Sequence, residues 1–360
     1  MRIAFVIGSL TGGGAERVVA MLANEFVNRG YEVGIISIAS SEKSYSISEQ
    51  VKLLYCLNSY KIPGISFIRR VGDLRSTLKD FEPEVCISFT VAVNIYSLLA
   101  SIGQKWRLII CERNDPKFDP QSRFLRLLRK MTYNLADGYV FQTTGERDYF
   151  PEKIRNRSSV IANPINSSIP RPFEGVRDKR FVTAVRLEPQ KNLKLAIDAF
   201  YDFCFNHEDF TFDIYGEGAQ KEYLQQYINE RGLADKVHLL GRSDKLYEDM
   251  KNAFAFILSS DYEGMSNSML EAMALGLPVI STDYPSGGAR MVIDDHNNGI
   301  LVPVGNKGKM CECMTELVEC PDLATRLSDN ACKIKDVLSV TNILDMWEES
   351  IKTWGHKSGK

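Results

Sequence analysis

The run Glu263-Gly264-Met265-Ser266-Asn267-Ser268-Met269-Leu270-Glu271 sets two carboxylates eight residues apart around the start of a helix. Ser266 or Asn267 can cap that helix, Gly276 can end it, and Pro278 follows. Glu263 then lies in the loop before the helix, and Glu271 about one turn inside it. Free amides at a helix N-terminus suit a phosphate, and flanking carboxylates suit sugar hydroxyls. A second pair, Arg186 and Lys191, spans a turn after an apolar run, where a guanidinium fork and an ammonium point charge can meet one diphosphate. A third segment, Gly12-Gly13-Gly14, lets backbone amides approach an anion closely. Each segment alone is also what a tight turn or a solvated loop gives. Together and in this order they point to a phosphorylated sugar ligand.

These residues need elements to hold them. Apolar runs at Ile3–Ile7, Val33–Ile38, Val85–Phe89, Leu108–Cys111 and Gly138–Gln142 read as buried strands, with Ala15–Arg29 as a helix between the first two. Turn formers from Asn163 to Gly175 read as a linker. The alternation restarts with Phe181–Val185, Phe210–Tyr215, Val237–Leu240, Ala255–Leu258 and Pro278–Ser281. The expected architecture is α/β, two Rossmann-like doubly wound domains facing across a cleft. The boundaries read as 1–165, 166–340, and a helix and tail over 341–360 that can pack back on the first domain.

Composition narrows the function classes. Hydrophobic residues make up 44% and charged residues 25% of 360, as in ordinary globular chains and unlike disordered or fibrous ones. A net charge of −2 argues against a nucleic-acid partner. Residues 1–165 hold 22 Lys/Arg against 16 Asp/Glu, and the remainder 22 against 30, so the first half is the one suited to an anionic surface. The eight cysteines lack zinc-ligand spacing, and several sit in apolar runs, which reads as a reduced, cytoplasmic chain. Met1–Ile7 breaks at Gly8 and reads as a first strand, not a signal peptide, and no apolar stretch approaches the ~20 residues that span a bilayer. Neither G-x4-G-K-[ST] nor D-x-D occurs, which speaks against a nucleoside triphosphatase and against one metal-holding motif.

The ordered set Gly12–Arg17, Cys111-Glu112-Arg113-Asn114-Asp115-Pro116, Asn163-Pro164, Arg186…Lys191, Tyr215-Gly216-Glu217-Gly218, Leu240-Gly241-Arg242, Glu263…Glu271 and Asn298–Pro303 resembles the retaining glycosyltransferases of family 4. Their fold is GT-B and their donors are nucleotide sugars. Within the family the chain is most similar to bacterial enzymes that extend lipid-linked oligosaccharides for capsule, O-antigen or protein glycosylation. The resemblance implies transfer of a hexose or N-acetylhexosamine, from a donor read as UDP-linked, to a polyprenyl-diphosphate-linked glycan, with no cofactor and no metal. Arg186 and Lys191 would hold the donor diphosphate, Glu271 the ribose and Glu263 the transferred sugar. The amides of Gly264, Met265, Ser266 and Asn267 would meet the distal phosphate, and Gly241 and Arg242 the base. Gly13 and Gly14 would close over the diphosphate, with Asn163 and Gly216 in the same donor set. Relatives often carry an acid where this chain has Met291, so no donor role is assigned there.

Glu112 or Arg113 is expected to contact the acceptor sugar or the reacting centre. Arg123–Met131 places Phe124, Leu127, Leu128 and Met131 on one helical side and Arg123, Arg126, Arg129 and Lys130 on the other. Ile65–Arg70, with Arg69 and Arg70, is similar. Such basic amphipathic helices suit an anionic membrane surface, which predicts peripheral attachment on the inner face of the cytoplasmic membrane. Three rival readings have weaker support. A Tyr247-x3-Lys251 dehydrogenase pair lies far from the glycine loop, a sugar-nucleotide sensor need not keep Glu263, and a GT-B epimerase needs no basic face.

Overall fold

The computed structural model describes residues 1–57 and 63–355; the side chains of 63–65 and 355 and all of 356–360 lie outside the description, and with them Ile65 and the expected tail. Among the described residues two parallel sheets form. The first contains β1 (Arg2–Ile7), β2 (Glu32–Ser37), β3 (Lys52–Tyr55), β4 (Val85–Phe89), β5 (Arg107–Cys111), β6 (Gly138–Phe141) and β7 (Ser158–Val160), in the order β3-β2-β1-β4-β5-β6-β7. The second contains β8 (Asp178–Ala184), β9 (Thr211–Tyr215), β10 (Val237–Gly241), β11 (Ala253–Leu258), β12 (Val279–Thr282) and β13 (Ile300–Val302), in the order β10-β9-β8-β11-β12-β13. Both orders reverse beside their first strand, between β1 and β4 and between β8 and β11. Ligands of doubly wound sheets bind outside the carboxyl ends at such reversals.

Central strands are apolar on both faces because helices cover both: Ile3 to Val6, Val85 to Ile87 and Ala255 to Leu258 are buried. The sequence reading missed β3, β7 and β13. They are short edge strands, and β3 and β7 are only half-buried, so they lack a continuous apolar run.

The chain forms two compact units, one of residues Met1–Pro164 with the segment from Val340 on, the other of Ile165–Ser339. The segment read as a linker is packed, not free. Ile165 and Ile169 are buried, Ile165 N donates to Leu338 O at 2.9 Å, and Lys335 Nζ donates to Pro170 O at 2.7 Å. Arg177 pins its end, donating to the carbonyls of Lys251, Ala253 and Gly276. The helix Val340–Gly355 belongs to the first unit: Trp347 is buried against Phe89, Arg29 Nη1 binds Asp345 Oδ1 at 2.6 Å, and Trp354 lies against Gly138.

Candidate active site

At the carboxyl edge of the second sheet, the loops after β8 and β11 are tied together. Asn192, at φ 42°, caps the Leu193–Cys204 helix and donates through Nδ2 to Asp261 Oδ1 at 2.7 Å. Asp261 N donates to Gln190 O at 2.9 Å, and Ser259 Oγ to Lys191 O at 2.8 Å. On this frame Lys191 Nζ bonds Glu263 Oε1. Ser260 Oγ donates to the same oxygen at 2.9 Å, and Gln190 Nε2 to Oε2 at 3.1 Å. Three donors thus compensate a carboxylate that is only 8% exposed. Spacing pointed to Lys191 and Glu263 separately; it did not reveal that they meet, nor that Gln190, Ser260, Asn192 and Asp261 hold them.

Ser266 is the cap of the Asn267–Ala274 helix, its Oγ accepting from Met269 N at 3.4 Å, and Glu271 is buried one turn in. Gly264, Met265 and Ser266 are buried at that entry, with Asn267 half-buried. Arg186 and Arg242 are exposed, and neither side chain makes a hydrogen bond or ion pair among the described residues. Gly216, at φ 134°, would place a Cβ 1.9 Å from Val185 O, and its N–H donates to Gly241 O at 2.7 Å. The loops after β8, β9 and β10 therefore meet backbone to backbone. Gly288 does the same for the helix entry, since a Cβ there would stand 2.1 Å from Gly264 O. Beside it Met291 is 39% exposed.

In the first unit, Gly13 precedes the helix Gly14–Asn28 with no side-chain cap, and its carbonyl accepts from Arg17 N at 3.1 Å and Tyr45 Oη at 2.9 Å. The strand-end acid differs from expectation. Glu112 is 2% exposed and turned into the domain, where Tyr133 Oη donates to Oε1 at 2.6 Å and Arg129 Nη1 stands at 3.8 Å. Burial pushes its pKa up to about 7 against the pull of Arg129 and the Tyr133 hydrogen bond. Its carboxylate is thus held by interior partners. Arg113 stays half-buried, lies 5.3 Å from the Phe89 ring centre and donates through Nη2 to Asn163 Oδ1 at 2.5 Å. Asn163, expected among donor contacts, is 1% exposed and holds this first-unit arginine.

Residues 12–168 match Glycosyltransferase Family 4, and residues 168–334 match Glycosyl transferases group 1. The chain belongs to the family 4 glycosyltransferases. The Campylobacter jejuni GalNAc-α-(1→4)-GalNAc-α-(1→3)-diNAcBac-PP-undecaprenol α-1,4-N-acetyl-D-galactosaminyltransferase is 26% identical, over 96% of this chain and 97% of that one. The same organism's N-acetylgalactosamine-N,N'-diacetylbacillosaminyl-diphospho-undecaprenol 4-α-N-acetylgalactosaminyltransferase is 28% identical, over 88% and 90%. Anabaena HepE, solved with UDP and glucose, superposes with a TM-score of 0.81 at 18% identity, over 98% of this chain and 100% of that one. The fold of this glycosyltransferase is GT-B.

The glycosyltransferase has an unusual helix at Arg123–Thr132. Its apolar side faces out, with Phe124 62%, Leu127 56% and Met131 66% exposed. Inward go Leu125 and Leu128, half-buried against the core, and Arg129, 4% exposed, which donates to Asp119 O at 2.8 Å and Pro116 O at 2.7 Å and lies over the Tyr149 and Phe150 rings. Arg129 is thus not on the expected exposed basic side. Arg126 donates to Pro120 O and Phe118 O, while Arg123 and Lys130 are exposed. In the helix Pro63–Phe81, Ile68 is 72% exposed, with Arg69 exposed and Arg70 half-buried. The Val91–Ser101 helix packs against both this helix and Arg123–Thr132. No helix among the described residues is long and apolar enough to cross a membrane. Among them no cluster of His, Cys, Asp or Glu could hold a metal, and all eight cysteines are free.

Proposed function

We propose that this glycosyltransferase moves a hexose or N-acetylhexosamine from a uridine-diphosphate sugar to a hydroxyl of a polyprenyl-diphosphate-linked glycan, with retention and without a metal, in bacterial surface-glycan or glycoprotein assembly. The observation that carries the reading is the Lys191–Glu263 pair, held at the β8–β11 reversal beside the Ser266-capped helix. Leaving-group charge builds on the diphosphate as the anomeric bond breaks. Lys191 and the helix N-terminus are a fixed cation and dipole suited to that charge, and Arg186, exposed and without an ion pair among the described residues, adds a second cation. When the diphosphate takes over Lys191, Glu263 keeps Gln190 and Ser260 as donors, and its freed lone pairs are open to sugar hydroxyls. Glu271 would take the ribose, and the Gly264–Asn267 amides the distal phosphate. Attack from the face that the diphosphate leaves, with its oxygen as base, gives retention without a protein nucleophile.

The acceptor class is drawn from the names of the two Campylobacter relatives, both acting on undecaprenol-linked sugars. The exposed Phe124, Leu127 and Met131 stripe, flanked by Arg123 and Lys130, suits an anionic membrane on which such an acceptor resides. Arg113, at the β5 end, is assigned to the acceptor or the reacting centre.

The test is thermal-shift screening with UDP, GDP, ADP and NAD, with and without EDTA, on wild type and Glu271→Ala. A UDP-specific shift, insensitive to EDTA and lost in the variant, supports the donor site by mass action. A shift with NAD and none with any nucleoside diphosphate overturns it.

A further inference from the structure

Four neighbouring strand ends of the first sheet converge on one guanidinium. Phe89 ends β4, Arg113 lies two residues past β5, Gln142 one past β6, and Asn163 three past β7. The Arg113 guanidinium carbon lies 5.3 Å from the Phe89 ring centre, and Nη2 is bonded to Asn163 Oδ1 at 2.5 Å. Asn163 Oδ1 also accepts from Gln142 Nε2 at 2.7 Å. Two N–H donors on one oxygen leave the Asn163 amide a single orientation, because the flipped amide would face donors with donors. Gln142 is in turn fixed through its backbone N–H, which donates to Glu146 Oε2 at 2.7 Å, and Glu146 N donates to Thr143 Oγ1 at 3.0 Å.

Asn163, Gln142 and Glu146 are 1%, 2% and 0% exposed. Gln142 Oε1 and Glu146 Oε1 find no hydrogen-bond partner among the described residues. A buried chain left partly unsatisfied costs stability, so structure alone gives little reason to keep it. Its terminus explains it better. Arg113 forms no ion pair among the described residues, and its immediate acceptor is a neutral amide. The guanidinium is therefore held in place without losing its charge to a carboxylate, and the residue as a whole is only half-buried.

We propose that Asn163, oriented by Gln142, is a positioning residue that aims Arg113 at the substrate on the acceptor side, so that Arg113 contributes to transfer only while Asn163 holds it. The inference rests on the assignment of Arg113 made above.

The experiment is a double-mutant cycle on the full chain. Wild type, Asn163→Ala, Arg113→Ala and the double variant are compared for UDP release from UDP-N-acetylgalactosamine, with a synthetic polyprenyl-diphosphate-linked N-acetylgalactosamine oligosaccharide as acceptor. Misaiming a clamp of this kind costs about 10- to 100-fold in kcat. Asn163→Ala is expected to show that loss with the thermal shift by UDP unchanged, and the double variant to be no slower than Arg113→Ala. Asn163→Asp keeps the oxygen that takes both donors but sets a carboxylate against the guanidinium, so it is expected to restore only part of the rate; it also stands in if the alanine variant does not fold. Full turnover in Asn163→Ala beside an inactive Arg113→Ala overturns the inference alone, as does a double variant slower by the product of the single losses. Full turnover in Arg113→Ala overturns the assignment on which the inference rests.

Discussion

In the second unit β8 to β13 repeat the order of the first six strands of the first sheet, yet the two carboxyl edges are held by different means. The second edge adds main-chain closure to its side-chain ties. Gly216 lies against Val185, Gly288 against Gly264, and the Lys191–Glu263 pair has further donors in Gln190 and Ser260. The first edge is held by side chains: Tyr133 and Arg129 around Glu112, and Asn163 and Gln142 around Arg113. Backbone closure leaves little freedom for side-chain variation. Side-chain closure can be rebuilt one residue at a time, which would suit the half proposed to meet the acceptor.

The largest expected effect tests the closed edge. Lys191→Ala removes the cation proposed to meet the leaving group and should lower kcat/KM by about 10²- to 10³-fold, measured as UDP-sugar turnover. Retention of the wild-type rate would move the chemistry away from this loop. Next comes Gly216→Ala, whose methyl group has no room beside Val185 O and should cost about 3 kcal/mol in urea unfolding. Its counterpart in the first unit, Gly72→Ala, meets nothing within 4 Å inside a helix and should instead add about 0.5–1 kcal/mol.

The outward helix provides a third comparison. Phe124→Ser with Leu127→Ser should weaken binding to anionic liposomes by about 100-fold in a low-salt sedimentation assay. Folding stability should stay within about 0.5 kcal/mol, as expected for exposed sites. Unchanged sedimentation would remove the membrane from the account. The smallest effect is at Glu112. Its pKa of about 7 exceeds the ordinary 4.5, so between those values the folded chain keeps a proton that the unfolded chain has lost. Its contribution to stability is full below pH 4.5 and is lost as pH rises to about 7. Glu112→Gln should flatten that fall, read by urea midpoints at pH 5 and pH 8; an identical slope in both proteins would show the carboxylate ionised in the fold.

The legible parts of the sequence were those in which local chemistry and tertiary role agree. Continuous apolar runs mark strands covered on both faces, and Ser266 and Gly276 bracket a helix by capping chemistry that spans a few residues. Contacts far apart in sequence were not legible. Nothing in Glu112 reveals that Tyr133 will reach it, and nothing in the Arg123–Thr132 pattern shows that carbonyls of Pro116 and Asp119 will draw Arg129 inward and leave the apolar stripe outside. Amphipathicity told which residues share a side, while the partner of Arg129 decided which side is covered.

The helix that ends the described chain imposes an order on synthesis. Trp347 and Trp354 cover Phe89 and Gly138, more than two hundred residues upstream. When the first 164 residues leave the ribosome, their sheet still lacks that cover, and at ordinary elongation rates roughly 10–40 s pass before it arrives. The half made first is therefore the half completed last, after the second unit has had time to fold.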